Sequence, residues 1–253
     1  DGTITDLTAM PDAKHRWGGW SHDGDQFAFA SNRRDESVFD VYVQQRDATG
    51  EDAELVFEGE GWLTVGGWSP SDDRLILTKA HSSFDQDLSV LDIESGERTH
   101  LTPHDGNVRY HSAQWSPDGE ALYLVTDGDS DTLELVWMDA ETGETATVRD
   151  GGQWNIDGVA VDDDTGLVAY SRNVEGYTEL TLGELAGPTD ITEFERPTLP
   201  GDVAGGVSFG PDGSRLAFST SGRDVNTNVS IADVADLRRA DDIEAATRSE
   251  EQT

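Results

Sequence analysis

One ten-residue phrase returns five times along the chain, and this repetition constrains the fold more than any other feature of the sequence. The phrase is WSHDGDQFAF from Trp20, WSPSDDRLIL from Trp68, WSPDGEALYL from Trp115, VDDDTGLVAY from Val161 and FGPDGSRLAF from Phe209. We call the first residue of each copy the anchor, and successive anchors are 48, 47, 46 and 48 residues apart. A period of this length is typical of propeller blades and longer than most helical solenoid repeats.

Each repeat carries the pattern of four strands. Apolar residues alternate after the Asp- and Gly-rich turn, as at Phe27 and Phe29, so that both lie on one side of a strand. A third apolar strand follows, for example 38–43, and a fourth follows a turn, for example 98–102. Small residues such as Gly18 precede every anchor, where innermost strands converge on a central channel. The sequence therefore predicts an all-β propeller of five four-stranded blades, each of about 47 residues.

We predict one propeller domain over residues 1–253. Each anchor is expected to fill the gap between adjacent sheets, and the phrase keeps its length because a one-residue slip would turn every inward side chain outward. The predicted blades cover about 10–60, 61–105, 106–151, 152–200 and 201–240, with 1–8 added to the last blade and 241–253 as a charged tail.

The first residues of the chain resemble the fourth strand of a blade. TITDLT (3–8) matches the phrase RTHLT (98–102) and lies at nearly the same distance before its anchor. One solution is circular closure, in which this strand completes the last blade beside 229–234. The other is a larger propeller, of which this chain is a part. We expect closure.

Charge dominates the composition. Asp and Glu number 52 against 17 Lys and Arg, which gives a net charge of −35. Such a chain repels phosphate backbones and anionic lipids, so we expect no nucleic-acid or membrane partner. Seven Trp, eight Phe and five Tyr argue against disorder and favour a folded protein with an acidic surface. With no cysteine, the chain suits the reducing cytoplasm of a salt-rich cell.

A serine motif at Gly206–Gly210 matches the nucleophile elbow of hydrolases, G-x-S-x-G. Ser208, however, falls inside a predicted innermost strand, where the motif requires a sharp strand-to-helix turn. A histidine should also follow it in the chain, and the last histidine is His111. We therefore predict no catalytic residue here.

Two groups of carboxylates are candidates for a functional site, one catalytic and one for calcium. Asp157 and Asp202 precede innermost strands and could face the axis, as glycosidase carboxylates do, but nothing distinguishes them among so many acids. The acidic stretch 127–131 begins like a calcium loop, yet Thr132 and Met138 replace its required Gly and Glu. We expect a solvated hairpin there, no metal site and no cofactor.

Two cationic, aromatic segments depart from the acidic background. His15, Arg16 and Trp17 enter the innermost strand of the first blade, and Arg109, Tyr110 and His111 enter that of the third. Such loops are expected at the mouth of the channel, where they could capture a carboxylate or the acidic edge of a partner. The alternative is that they neutralise nearby acids.

Longer segments resemble the propeller domain of the prolyl oligopeptidase family, in particular acylaminoacyl-peptidase-type members from salt-loving archaea. The segments are KHRWGGWSHDGDQFAFASNRRD (14–35), FDVYV (39–43), WSPDG (115–119) and FGPDG (209–213). TolB-like propellers share the SPDG corner. The resemblance implies a propeller that caps an α/β-hydrolase domain bearing a Ser-Asp-His triad and limits access to short peptides.

No part of the chain matches that hydrolase, so no catalytic residue is carried over. Two functions remain: a non-catalytic, substrate-gating lid, with a peptide substrate or an α/β-hydrolase domain as its partner, or a stand-alone TolB-like propeller that serves as a protein- or ligand-binding scaffold.

Removing salt should unfold the chain, because screening weakens the mutual repulsion of its acids. We expect circular dichroism at 218 nm, a wavelength typical of β structure, to show loss of strands between about 2 M and about 20 mM KCl. A fold that persists unchanged in dilute buffer would contradict the assignment to a salt-rich cell.

Overall fold

A computed structural model describes residues 4–224 and 226–238, and five antiparallel sheets, the blades, make up almost all of this part. Blade 1 holds β1 (His15–Trp20), β2 (Gln26–Ser31), β3 (Asp40–Gln45) and β4 (Glu54–Phe57), and blade 2 holds β5 (Leu63–Trp68), β6 (Arg74–Ser82), β7 (Asp85–Asp92) and β8 (Arg98–His100). Blade 3 holds β9 (Tyr110–Trp115), β10 (Ala121–Thr126), β11 (Glu134–Asp139) and β12 (Thr145–Arg149). Blade 4 holds β13 (Ile156–Asp162), β14 (Leu167–Val174), β15 (Tyr177–Leu185) and β16 (Ile191–Glu193), and blade 5 holds β17 (Val203–Phe209), β18 (Arg215–Ser221) and β19 (Asn228–Asp233).

Within every blade the strands pair in chain order, from the innermost to the outermost. A 3₁₀ turn at Gly50–Asp52 and the short helix α1 (Val234–Leu237) are the helical elements of the described residues. No helix among those residues has the length and apolar character needed to cross a membrane. The prediction of an all-β, five-bladed propeller is confirmed.

Apolar packing between consecutive blades forms the core. Four clusters of buried side chains fill the four junctions from blade 1 to blade 5. In the first junction Ala28 and Val41 of blade 1 meet Val65 and Leu75 of blade 2. Because a blade is covered on both sides, all six residues of β10 are buried and the strand is mostly apolar rather than alternating.

Two of the three anchor tryptophans join neighbouring blades, as predicted. The prediction is wrong for Trp20, which packs on Trp17 and Phe27 of its own blade and is 42% exposed. Trp68 and Trp115 are buried, and each indole N–H donates to a carbonyl oxygen in the innermost strand of the preceding blade. Trp68 reaches Gly19 at 3.0 Å and Trp115 reaches Gly67 at 3.4 Å. A large ring thus fills the junction while its polar edge is satisfied.

A β-bulge interrupts the pairing of each innermost strand with its neighbour, just before the anchor. The bulge explains the small residues there, because it needs unusual backbone angles and close contacts. Ser112 takes a φ of 54° in blade 3. At Gly18, an added Cβ would lie 2.5 Å from the Cβ of Val65, so a side chain has no room.

The prediction that the N-terminal strand closes the last blade is wrong for the described residues. Residues 4–14 contain no strand, and blade 5 has three strands in the described part of the chain. The N-terminal segment lies on blade 1 instead: Leu7 packs against Phe27, Phe29 and Tyr42, which form an aromatic surface. The side-chain amide of Gln44 donates to the Leu7 carbonyl oxygen at 2.8 Å. The predicted tail, 241–253, lies outside the described residues.

A histidine links three blades near the axis. His22, in the turn after the first anchor, lies 2.7 Å from Asp72 of blade 2 through Nδ1 and 2.9 Å from Asp163 of blade 4 through Nε2. Burial lowers the pKa of His22, but hydrogen bonds and charge from the two carboxylates outweigh it, so its pKa lies above the ordinary value.

We expect Trp68→Ala to lower the free energy of unfolding by about 3–5 kcal/mol, since it empties a packed junction. Trp20→Ala is the matched control, because Trp20 holds the same repeat position but is exposed, and its loss should cost roughly 1–2 kcal/mol. Urea unfolding in concentrated KCl measures both. Equal losses would show that the anchors do not act through the junctions.

His22→Gln should weaken the fold more in acid than in base. The stabilisation by charged His22 is complete below the unfolded pKa of about 6.5 and disappears as the pH rises through the higher folded pKa. The stability difference between wild type and variant is therefore larger at about pH 5.5 than at about pH 9. His111→Gln should give the opposite trend, because burial lowers the pKa of His111. Parallel pH profiles for the two variants would contradict this.

Candidate binding face around the central axis

The disc of blades has two unlike faces. Loops between blades, and the loops joining second to third strands, lie on one face because every blade is an up-and-down meander. Backbone hydrogen bonds join these loops across junctions: Phe39 N donates to Gly61 O at 2.9 Å, and Gln86 N donates to Val108 O at 3.0 Å. The anchor turns and the turns between third and fourth strands form the opposite face.

Exposed aromatic side chains distinguish the first face, which we call the aromatic face. They are Trp62, Phe84, Trp154 and Tyr177. Turns of the opposite, acidic face carry carboxylates such as Asp23, Asp118 and Asp164, and no large apolar side chain of these turns is exposed in the part of the chain that the structure describes. A partner with apolar groups therefore buries them more readily at the aromatic face, and a negatively charged partner is repelled less there.

Arg16 is the cation of the aromatic face that is best placed to bind a ligand. Its guanidinium carbon lies 4.1 Å from the ring centroid of Trp62 and 4.7 Å from that of Phe39. Among the described residues it forms no ion pair, although acids outnumber basic residues threefold. The two rings fix its position, and its N–H groups remain available to a carboxylate or a peptide carbonyl.

His15 and Trp17 point to the other side of β1, because neighbouring residues of a strand alternate. The His15 ring meets Phe29 edge-on at 5.5 Å, and burial lowers the pKa of the imidazole. Trp17 stacks on Phe27, with its ring centroid 5.5 Å away, and is mostly exposed. Arg16 alone of the three contacts blade 2.

The side chains of the second predicted segment, 109–111, make contacts within the protein. Arg109 forms an ion pair with Asp127, Nε to Oδ2 at 2.7 Å, so it neutralises an acid of its own blade. Tyr110 is buried with its ring 5.6 Å from that of His104. His111 lies 3.2 Å from Ser112 Oγ, and burial, assisted by Arg109, lowers the pKa of its imidazole. The structure does not join the six predicted side chains in one site, and their role in binding stays a prediction.

The serine and the two aspartates that the sequence also raised as candidates lie in ordinary structural surroundings. Ser208 lies inside β17, as predicted, and its hydroxyl donates to the Phe209 carbonyl oxygen. Asp202 accepts the backbone N–H of Arg223 at 3.0 Å. Burial raises the pKa of Asp157. In the described residues no group of three or more His, Asp or Glu is placed to hold a metal ion.

Sequence reasoning missed the exposed aromatics of the aromatic face. A signal was present, since Trp62 and Trp154 come shortly before the innermost strands of blades 2 and 4, close to the places that the cationic segments hold in blades 1 and 3. Polar loops rarely carry tryptophan without a reason, so an aromatic residue at this repeated place indicates a contact surface.

The sequence and the fold of the chain differ in how far they resemble known proteins. No protein-family model and no curated protein sequence matches the chain. Many solved structures are similar in fold, and three of them illustrate the likeness. TolB from Acinetobacter baumannii has a TM-score of 0.63 and 15% identity over 88% of this chain and 53% of that chain. One of two prolyl endopeptidases studied for inter-domain dynamics has a TM-score of 0.70 and 12% identity over 88% and 33%.

The third is prolyl oligopeptidase B from Galerina marginata bound to a 25mer macrocyclization substrate, with a TM-score of 0.67 and 14% identity over 85% of this chain and 32% of that chain. The chain thus spans about half of the TolB and about a third of each peptidase. At these identities the likeness shows the fold. The chain is a propeller domain of the type found in TolB and in prolyl oligopeptidases, which confirms the predicted resemblance at this level.

Proposed function

We propose that this chain is a non-catalytic, substrate-gating propeller of a peptidase of prolyl oligopeptidase type, with peptides and an α/β-hydrolase domain as its partners. The observation that carries the proposal is the aromatic face. There Arg16, which forms no ion pair with any described residue, is held between two rings within a loop surface that exposes further aromatics. In this function the chain selects and positions peptides, and bond breaking belongs to the hydrolase.

The physical basis is the difference between the two faces. A peptide offers carbonyl oxygens, apolar side chains and a terminal carboxylate. Its carbonyl and carboxylate oxygens can accept hydrogen bonds from the N–H groups of Arg16, and its apolar side chains can pack on Trp62 and the neighbouring rings. The acidic face repels a carboxylate, so peptides approach the aromatic face.

The net charge of −35 supports a second part of the proposal, namely action in the cytoplasm of a salt-loving archaeon. There the salt screens repulsion between surface acids.

A stand-alone, TolB-like binding scaffold is the second candidate. It is favoured by the structural likeness to TolB, which is comparable to the likeness to the peptidases. The coding sequence on either side of the part that encodes this chain distinguishes the lid from the scaffold. A strand, elbow and helix with a serine followed by Asp and His supports the lid, and a gene without a hydrolase supports the scaffold.

Peptide binding tests the role of the aromatic face. We expect Arg16→Ala to weaken binding of a fluorescein-labelled tripeptide with a free carboxylate by about 10- to 100-fold in fluorescence polarisation, because one charge-assisted contact is lost. Arg109→Ala should change it little, since Arg109 is held by Asp127. The chain alone should not hydrolyse the peptide.

Arg98→Ala is the matched control, because Arg98 also lies over a ring, that of Phe57, but away from the aromatic face. Unchanged affinity in the Arg16→Ala variant, or an equal loss in Arg98→Ala, would exclude peptide recognition at Arg16. The C-terminally amidated tripeptide tells a carboxylate contact from a carbonyl contact.

A further inference from the structure

The hairpin between the second and third strands of blade 2 extends further than the hairpins of blades 1 and 3. Strand β6 has nine residues and β7 has eight, whereas β2, β3, β10 and β11 have six each. Ser83 and Phe84 form its two-residue turn, because Ser82 still pairs with Asp85. Phe84 is 63% exposed and is one of the rings of the aromatic face. We call residues 81–85 the hairpin tip.

Three of the six histidines of the chain surround two carboxylates of this hairpin. His81 Nε2 lies 2.8 Å from one oxygen of the Asp87 carboxylate, and His100 Nε2 lies 3.4 Å from the other oxygen. The ring of His104 spans both acids, with Nε2 3.0 Å from Asp85 and Nδ1 3.7 Å from Asp87. Imidazoles from β6, from β8 and from the loop after β8 thus meet the acids of β7.

The surroundings of His104 require a charged imidazole. Its Nδ1 lies 2.8 Å from the carbonyl oxygen of Thr102, and its Nε2 lies 3.0 Å from the Asp85 carboxylate. A carbonyl and an ionised carboxylate only accept hydrogen bonds, whereas a neutral imidazole has one N–H to donate. Both bonds therefore form only in the imidazolium. The bond to Asp85, followed by that to Thr102, raises the pKa of His104 above its ordinary value, although burial opposes them.

One end of the His104 bridge is fixed, and the other end is the hairpin tip. Thr102 is buried, and its hydroxyl oxygen accepts a backbone N–H of β7 at 2.8 Å, which holds the loop after β8 against the blade. The tip itself is mostly exposed. Besides the strand pairing, it is held by the side-chain amide of Gln86, which donates to the Ser82 carbonyl oxygen at 2.7 Å, and by the contacts of His81 and His104.

The long hairpin of blade 4 offers an internal comparison without histidine. Strands β14 and β15 have eight and nine residues, and Tyr177 at their tip is 56% exposed. Its turn, Glu175 and Gly176, takes positive φ values of 54° and 92°, and the Gly176 N–H donates to the Asn173 side chain at 3.0 Å. No histidine belongs to blade 4, so the place of Tyr177 does not depend on an imidazole of its own blade.

Other charged or titratable groups also face the cluster. Among the described residues they are Lys79, which pairs with Asp87 across the sheet, Tyr110, whose ring centroid is 5.6 Å from that of His104, and the acids Asp105, Asp129, Glu134 and Glu144 around the cavity that His104 lines. The acids favour protonated imidazoles. Burial raises the pKa of Tyr110, so the phenol stays neutral below about pH 10. Histidine is the side chain here whose ordinary pKa lies near neutrality.

We propose that protons regulate the aromatic face through this cluster. Charged His104 and His81 hold the hairpin tip against blade 2, and Phe84 then forms part of the surface that binds a peptide. When the imidazoles lose their protons to water, the tip detaches and Phe84 leaves that surface. This regulation rests on the proposed function, because it acts on the same surface.

The direction of the effect follows from His104. Its charged form stabilises the tip fully below the unfolded pKa of about 6.5, and this stabilisation disappears as the pH rises through the higher folded pKa. The tip is therefore held at about pH 6 and released at about pH 9.

Spin labelling tests the release of the tip without any ligand. The chain has no cysteine, so Ser83→Cys takes a single nitroxide at the tip, and Glu175→Cys labels the tip of blade 4 as the matched control. In concentrated KCl, electron paramagnetic resonance should show a rotational correlation time at least about twofold shorter at pH 9 than at pH 6 for the Ser83 label. The Glu175 label should not change, and it reports any general loosening of the fold, including that caused by His22.

Two further variants identify the groups responsible. Adding His104→Gln or Asp85→Asn to the Ser83→Cys chain should make the label mobile at both pH values, since each removes the charged bridge. Circular dichroism confirms that both variants are folded. A Ser83 label with the same mobility at pH 6 and pH 9, an equal response of the Glu175 label, or a pH response that persists in both variants would overturn the proposal.

Peptide affinity tests the link to the aromatic face. The probe is an alanine tripeptide with a free carboxylate and tetramethylrhodamine on its amino group. The wild-type chain should bind it roughly 3- to 10-fold more weakly at pH 9 than at pH 6, which is the effect of one aromatic contact. Phe84→Ala should bind it weakly at both pH values.

A mobile tip with unchanged peptide affinity would refute the regulation. Unchanged binding in Arg16→Ala overturns the proposed function alone, because the spin label reports the hairpin tip in the absence of peptide.

Discussion

Packing of one sheet against the next is the interaction on which the rest of this structure depends. Each blade is too small to bury its own apolar residues, and it becomes stable only when both of its sides are covered. The anchor residue sets the geometry of the contact, since an indole such as that of Trp68 fills the junction and hydrogen-bonds the innermost strand of the preceding blade. The spacing between anchors is nearly constant because each blade must cover its neighbour to the same extent and therefore repeats nearly the same strand lengths.

The junction also explains the irregularities near the axis. Strands that converge there require bulges, which accounts for the positive φ of Ser112 and the missing side chain of Gly18. The same convergence brings turns from separate blades within reach of one another, so His22 meets carboxylates of two other blades. Charges close to the axis therefore link parts of the chain that lie far apart in sequence.

The two faces of the disc differ in their chemistry. Turns of the acidic face carry many carboxylates, while the aromatic face exposes rings and the guanidinium of Arg16, which forms no ion pair within the described part of the chain. Arg109 and Arg16 show why position matters more than residue type: both are arginines near the start of an innermost strand, but among the described residues only Arg109 forms an ion pair with a carboxylate.

The sequence by itself determined the fold class, the number of blades, the role of the anchors and the strand context of Ser208, because these follow from local alternation and a fixed period. It did not determine where the N-terminal segment lies, since the match of 3–8 to a fourth strand is short, and Leu7 gains more by burial against the aromatic side of blade 1. It also could not show that Arg16 has different contacts from His15 and Trp17. Only the tertiary structure decided that, because the partners of a side chain come from other blades, whose distance in space no local pattern encodes.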